Sequence, residues 1–155
     1  MSIRPATPGD IAAMRSIEAQ AGTGTRWSEQ AYQRIFSGNP PRLALVFEDN
    51  DVQGFLVASQ LGPEWELENI AVVPHVQRRG IGSALLTHFI AVFKDHGGMS
   101  VFLEVRESNA AARKLYEKHG FVEAGRRRDY YHNPAEDAVL YRKTGIPPLK
   151  NPACG

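Results

Sequence analysis

The run Asn69-Ile70-Ala71-Val72-Val73-Pro74-His75-Val76-Gln77-Arg78-Arg79-Gly80-Ile81-Gly82-Ser83 is the most chemically informative stretch of this 155-residue chain. An apolar segment with strand character runs into a short basic loop, and the loop opens into an amphipathic helix with glycines at positions 80 and 82. The first turn of a helix carries N–H groups without intrahelical acceptors and the positive end of the helix dipole. Glycine lets a ligand approach that backbone closely. Together these features make a receptor for a phosphate or pyrophosphate, to which Arg78 and Arg79 add positive charge. The competing reading is a plain connecting loop whose glycines serve turn geometry. Two better-known phosphate loops do not fit. The P-loop requires Gly-Lys-Ser/Thr, which is not found here. A dinucleotide fingerprint requires a third glycine or alanine where Leu85 stands, within a βαβ unit that the first half of the chain does not provide.

Gln77-Arg78-Arg79-Gly80-Ile81-Gly82 resembles the acetyl-CoA pyrophosphate motif of the GNAT N-acetyltransferases, Gln/Arg-x-x-Gly-x-Gly/Ala. Leu103 to Ala112 and Leu115 to Phe121 resemble the second conserved block of that family. With Arg127-Arg128-Asp129-Tyr130-Tyr131 added, the similarity is strongest to its RimI-type branch, the ribosomal-protein-alanine N-acetyltransferases. The likeness is strong over residues 65–143 and thinner over 1–64, where Ile17-Glu18 and Trp27-Ser28-Glu29 carry it. It implies the GNAT acyl-CoA N-acyltransferase fold, an α/β (α+β) architecture whose central twisted mixed sheet is splayed around acetyl-CoA with helices on both faces. It implies acetyl-CoA as acetyl donor and no metal. By the same resemblance the backbone of Ile70, Ala71 and Val72 binds the acetyl-pantetheine arm as if it were an added strand. Arg78, Arg79, Gly80, Ile81, Gly82 and Ser83 hold the pyrophosphate, and Asn109 contacts the donor near its thioester. The small run Ala110-Ala111-Ala112 leaves room for the arm. The acceptor in that branch is the N-terminal alanine of a small-subunit ribosomal protein. One stretch departs from the branch, which places an apolar residue and a proline before its Trp-Ser pair. Here Gly22-Thr23-Gly24-Thr25-Arg26 precedes Trp27-Ser28, in a loop on the acceptor side.

Acetyl transfer from a thioester to an amine needs a neutral amine and a proton for the departing thiolate. An α-amino group, with a pKa of about 7.7–8.0, is roughly one-tenth neutral at pH 7, whereas a lysine near 10.4 is neutral in fewer than about one molecule per thousand. An N-terminal acceptor therefore asks only for a modest base. Glu104 interrupts an apolar strand between Leu103 and Val105, near its C-terminal end. A carboxylate partly buried there is suited to proton pickup; the alternative is a solvated residue on the other face of the strand, which Phe102 shares. Tyr116 lies about two helical turns after Asn109 and projects from the same face. Beside the sulfur it would protonate the leaving thiolate; the alternative is a packing tyrosine. In RimI-type enzymes the Glu and Tyr at these motif positions act as base and acid, which favours the first reading for both. Tyr130 and Tyr131 either line an acceptor groove or fill a hairpin core. Glu64, Glu66 and Glu68 alternate and so share one strand face. They form either a solvated edge or a groove for a basic peptide, because like charges side by side repel unless a cation visits.

The elements that must position these groups follow from pattern. Thr7-Pro8-Gly9-Asp10 starts a helix, Ile11, Met14, Ile17 and Ala21 recur along it, and Gly22 ends it. Ser28 caps a second helix, with Trp27 and Tyr32 as a hydrophobic staple. Strand-like runs cover Leu43 to Phe47, Phe55 to Ser59 and Leu67 to Val73, with a hairpin at Asn50-Asp51. Ile81 to Phe93 is amphipathic. Met99 to Val105 alternates as a strand, Ser108 is placed to cap a helix through His119, and two last strands meet at a loop near Asn133-Pro134. The order predicts one mixed sheet with helices packed on it: a single domain over residues 1–144, followed by a flexible proline-bearing tail over 145–155.

Composition narrows the alternatives. Hydrophobic residues at 43% and charged residues at 23% exclude disorder and collagen-like chains. The net charge of +1 argues against nucleic acid as the main partner. Residues 1–70 carry a net −4 and residues 71–155 a net +5, so the basic half is the one to receive an anion. Cys154 is the sole cysteine, which precludes an internal disulfide and fits a reducing compartment. No apolar run approaches the roughly 18 residues of a membrane span, and Met1 to Pro5 has no apolar signal region. A soluble, cytoplasmic protein is expected. The five histidines show no metal-ligand spacing, no Gly-x-Ser-x-Gly elbow exists, and Arg126-Arg127-Arg128 reads as a solvated strand face. The rival functions are acetylation of a small amine and a silent acyl-CoA-binding module.

Overall fold

The computed structural model describes residues 2–22, 26–77, 79–132 and 134–145. Turn chemistry sets up its sheet. β1 is Ser2–Pro5, β2 Arg42–Asp49 and β3 Asp51–Leu61. β2 and β3 meet at Asn50, whose φ of 65° lies in the left-handed region that asparagine tolerates. β4 (Glu64–Val72) returns antiparallel to β3. β5 (Ser100–Arg106), β6 (Val122–Tyr131) and β7 (Glu136–Thr144) complete a seven-stranded sheet of order β1-β2-β3-β4-β5-β7-β6. β2, β3 and β7 reach beyond their apolar runs at both ends, because ladder pairing continues past the residues whose side chains are buried.

The parallel pairing between β4 and β5 is short. It runs from Glu64 against Ser100 to Glu66 against Phe102 and then stops. At the same place β4 bulges: Val57 of β3 faces Asn69 and Ala58 faces Leu67, which leaves Glu68 opposite nothing. The mixed sheet is thus splayed between β4 and β5, in the form the resemblance implies.

Helices cover both faces. α1 (Ile11–Ala21) follows a 3-10 turn at Pro8–Asp10. The Asp10 carboxylate accepts the Thr7 N–H at 2.8 Å and both terminal nitrogens of Arg4 at 2.9 Å. The Arg4 guanidinium holds that carboxyl below its ordinary value. α1 ends at Gly22 in the left-handed region. α2 (Glu29–Arg34) is capped by the Ser28 hydroxyl, and the expected staple forms, with the Trp27 and Tyr32 rings 5.4 Å apart. α3 spans Ile81–Asp95 and α4 Ala110–Lys118. The cap of α4 differs from expectation. Asn109, not Ser108, accepts the helix N–H, while Ser108 turns its N–H and hydroxyl to Glu136 at 3.0 Å each.

In β3, Gly54 to Ser59 are buried without a break, so alternation fails there and both sides are covered. Gly54 faces Ile81 and Leu85 of α3, and the Phe55 ring meets Tyr32, 6.2 Å away, on the other side. Phe89 and Phe93 of α3 close on Trp65 to form the aromatic part of the core. No helix among the described residues is long and apolar enough to cross a membrane.

A side chain at residue 54 has no room, since its Cβ would stand 3.0 Å from Ile81 Cγ2 and 3.2 Å from the Ala71 carbonyl. Gly54→Val is expected to cost about 1–3 kcal/mol by overpacking, read as a lower urea midpoint. An unchanged midpoint contradicts this packing of α3 on the sheet.

Candidate active site

Where β4 parts from β5 the sheet opens a cleft of about 810 Å³. At one end stands the start of α3. Gly80, with φ 80° and ψ 13°, precedes the helix, and no side chain caps it. The Ala84 N–H bonds the Gly80 carbonyl at 2.9 Å. The N–H groups of Ile81, Gly82 and Ser83 therefore have no intrahelical acceptor, and all three residues line the cleft, as does Gly80. The two glycines do different work. A Cβ at Gly80 would meet nothing within 4 Å, so glycine is there for its φ. A Cβ at Gly82 would come within 3.2 Å of Leu115 and 4.0 Å of Val72, so glycine is there for close packing. Gln77 braces the loop by donating to the Val72 carbonyl at 3.2 Å. The Ser83 hydroxyl and His119 Nε2 lie 2.8 Å apart and tie α3 to the end of α4. Burial, aided by Lys118 and Lys143, lowers the His119 pKa, which keeps the imidazole neutral. Arg79 is exposed and stands outside the cleft wall, and Arg78 lies outside the described residues.

Along the cleft run Ile70, Ala71 and Val72. Their β3 side is paired, to Leu56, Phe55 and Gly54 in turn. Their other edge faces the gap left beyond Glu66, where backbone N–H and C=O groups are open to an amide-bearing chain. Ala111 and Ala112 line the opposite wall, and Asn109 stands beside them. Its Oδ1 accepts the Ala112 N–H at 3.1 Å, so its amide NH2 is the group left to donate.

Glu104 also faces the cleft rather than bulk water, with a side chain 19% exposed. Leu103 and Val105 on either side are buried in the core. Its carboxylate lies 3.3 Å from Arg127 Nε, and Arg127 in turn lies over the Tyr130 ring, 5.5 Å from its centroid. Arg126, Arg127 and Arg128 are all exposed, as expected of a solvated strand face, and Arg127 in addition reaches the Glu104 carboxylate. Of the site it is the part that sequence reasoning missed, and the Arg-Arg-Asp-Tyr-Tyr run was its only signal. Tyr130 and Tyr131 both line the cleft, which favours the groove reading. The charge of Glu104 raises the Tyr130 pKa, and burial raises that of Tyr131.

Tyr116 is 6% exposed and reaches the same cleft from α4. Burial pushes its phenol above the ordinary value, so it holds its proton. Its ring packs between Phe121 and Tyr141, with centroids 5.8 and 6.2 Å away. The Tyr141 hydroxyl donates to Glu117 at 2.7 Å and accepts from Arg113 at 3.0 Å, which fixes α4 on β7.

Of the three alternating glutamates, Glu64 pairs with Arg142 and Glu68 with Arg42, each at 2.9 Å. Glu66 and Glu68 line the cleft. Burial, then the charges of Glu68 and Glu104, raise the Glu66 pKa. Among the described residues no group of three His, Cys, Asp or Glu side chains is arranged to hold a metal ion. Thr23 to Thr25 and residues 146–155, with Cys154, lie outside the described residues.

The acetyltransferase (GNAT) family model matches residues 11–121. The [ribosomal protein bS18]-alanine N-acetyltransferase of Salmonella typhimurium is 40% identical over 136 residues, covering 84% of this chain and 88% of that protein. The N-alpha-acetyltransferase RimI of Mycobacterium tuberculosis is 32% identical over 148 residues, 92% of each chain. The crystal structure of the ribosomal-protein-S18-alanine N-acetyltransferase from Escherichia coli superposes with a TM-score of 0.87 at 34% identity and covers 97% of both chains.

Gly80→Val places a β-branched residue in the left-handed region, a strain of about 1–2 kcal/mol. That strain would turn the first N–H groups of α3 aside. Calorimetry is expected to show coenzyme A affinity reduced at least about tenfold, with the circular dichroism spectrum retained. Parental affinity contradicts the assignment of this turn as the anion site.

Proposed function

The chain belongs to the acetyltransferase (GNAT) family, and from that premise we propose that it acetylates a protein N-terminus, the N-terminal alanine of a bS18-like ribosomal protein. It is an acetyl-CoA-dependent N-acetyltransferase. The acceptor is inferred from the names of its relatives and from the chemistry of the cleft. One observation carries the reading: the open edge of β4, the uncapped start of α3 and the Glu104 carboxylate all face one cleft. The reaction takes place in the cytoplasm, on a single domain over residues 1–144.

In this reading the open N–H groups of Ile81, Gly82 and Ser83 receive the pyrophosphate, and Arg79, outside the cleft wall, adds positive charge only at a distance. The edge of Ile70, Ala71 and Val72 pairs with the pantetheine amides, and Asn109 donates near the thioester. The peptide amine enters past Tyr130 and Tyr131. Glu104 takes its proton, directly or through water. The neutral nitrogen then attacks the thioester carbonyl, the N–C bond forms, the C–S bond breaks, and no acetyl-enzyme intervenes. Tyr116 gives its proton to the departing thiolate, and the second proton, shed by the nitrogen as the amide forms, returns through water to the phenolate. An α-amine suits this machinery because only a modest fall in pKa separates it from its reactive form. Arg127 shares the Glu104 carboxylate until the acceptor arrives.

Glu104→Gln is expected to lower kcat by about a hundredfold or more. Tyr116→Phe is expected to lower it by roughly ten- to a hundredfold, the equivalent of one hydrogen bond to a charged group. Coenzyme A affinity should stay near parental in both. Thiol release with an alanine-initiated basic peptide should exceed that with polyamines or aminoglycosides. Two variants with parental turnover would overturn the residue roles, and preference for a small amine would overturn the acceptor.

The raised pKa of Tyr116 sets the alkaline side of the pH profile. Because the phenol must be protonated to act, its loss falls above its ordinary value of about 10. The rate should rise through the titration of the α-amine near about 8 and then hold to about pH 9.5. A parental decline between pH 8 and 9.5 that vanishes in Tyr116→Phe would contradict this.

A further inference from the structure

Glu18 is the carboxylate that the reaction leaves unexplained. It lies on α1 and is 3% exposed, although ionised groups are rarely buried without partners. Its Oε1 accepts the Trp27 N–H at 3.0 Å, and its Oε2 accepts the Asn69 side-chain amide at 2.7 Å. Both donors belong to residues that line the cleft. Trp27 stands at the close of the loop that departs from the RimI-type pattern, with its ring on Tyr32. Asn69 stands on β4 directly after the unpaired Glu68, where the strand begins to leave β5. The fully buried Tyr32 stands beside Glu18, and burial together with the Glu18 carboxylate raises its phenol pKa. One carboxylate therefore joins two walls that share no ladder: the turn before α2 and the bulged strand.

We propose that Glu18 is a positioning residue that pins the Trp27 turn to Asn69 of the β4 bulge and so sets the width of the acceptor side of the cleft. The inference rests on the transferase reading only for its kinetic arm. An apolar residue would serve packing equally well. A carboxylate is needed because both partners are donors, and only a group that accepts at both oxygens can bridge them. Glutamine cannot, since its NH2 would face another donor.

The test uses Glu18→Gln, Asn69→Asp and the double variant. In the double variant the new amide donates to the new carboxylate, while the remaining amide oxygen still accepts the Trp27 N–H. The net charge matches the parent. Glu18→Gln is expected to raise the acceptor-peptide KM by about tenfold or more, as for a lost hydrogen bond to a charged group, with kcat and coenzyme A affinity within about twofold. The double variant should return KM to within about threefold of parental, a coupling that a general loss of stability would not give. Hydrogen exchange of the Trp27 amide supplies a readout without turnover: faster in Glu18→Gln, restored in the double variant. An unchanged KM with unchanged exchange, or a double variant worse than both singles, overturns the proposal. If the parent acetylates no peptide, the transferase reading fails and the Trp27 exchange alone decides the role of Glu18. If Glu18→Gln does not fold, Asn69→Ala, which removes one donor from the surface of the cleft, takes its place with the same two readouts.

Discussion

Everything in this molecule turns on the point where β4 stops pairing with β5. Three ladder positions join the strands, from Glu64 to Glu66, and beyond them the β4 edge has no strand partner. Natural sheets usually cover or blunt such an edge. Here it faces inward, along a cleft walled by two helix starts and two hairpin tyrosines. On the β3 side, β4 bulges at Glu68 and α3 packs closely over Gly54. An extended ligand with amides of its own is what such an edge lacks, and a pantetheine arm supplies it.

The electrostatics are arranged around the same gap. The anion end is built from backbone dipoles and a neutral His119, and the acceptor end from carboxylates. Glu64, Glu68 and Glu104 each meet an arginine, while Glu66, also facing the cleft, has none among the described ion pairs. β4 starts at the acidic end of the groove, with Glu66 and Glu68, and leads at its far end into the glycine loop before α3.

Much of this was legible in the residues. Glycines 80 and 82 ahead of an amphipathic helix carry a physical meaning that does not depend on tertiary contacts, and alternation placed Glu104 opposite its buried neighbours. The staple of Trp27 on Tyr32 was readable because its geometry is local. What could not be read was long-range. Arg127 meets Glu104 only because β6 lies across β7 from β5, and Glu18 meets Asn69 across 51 residues of sequence. The cap of α4 was misplaced by one residue because Ser108 and Asn109 both suit a cap. Glu136 on β7 claims the serine.

Amide hydrogen exchange with and without coenzyme A tests the central claim most directly, since it reads the backbone groups themselves. Added coenzyme should slow exchange at the β4 amides of Ile70 and Val72, which alternate away from β3 into the gap, and at the α3 amides of residues 81–83, and leave β1 and β2 as they were. Uniform exchange at both places, with saturating coenzyme and a folded protein, would contradict the account of the open strand edge as the donor site.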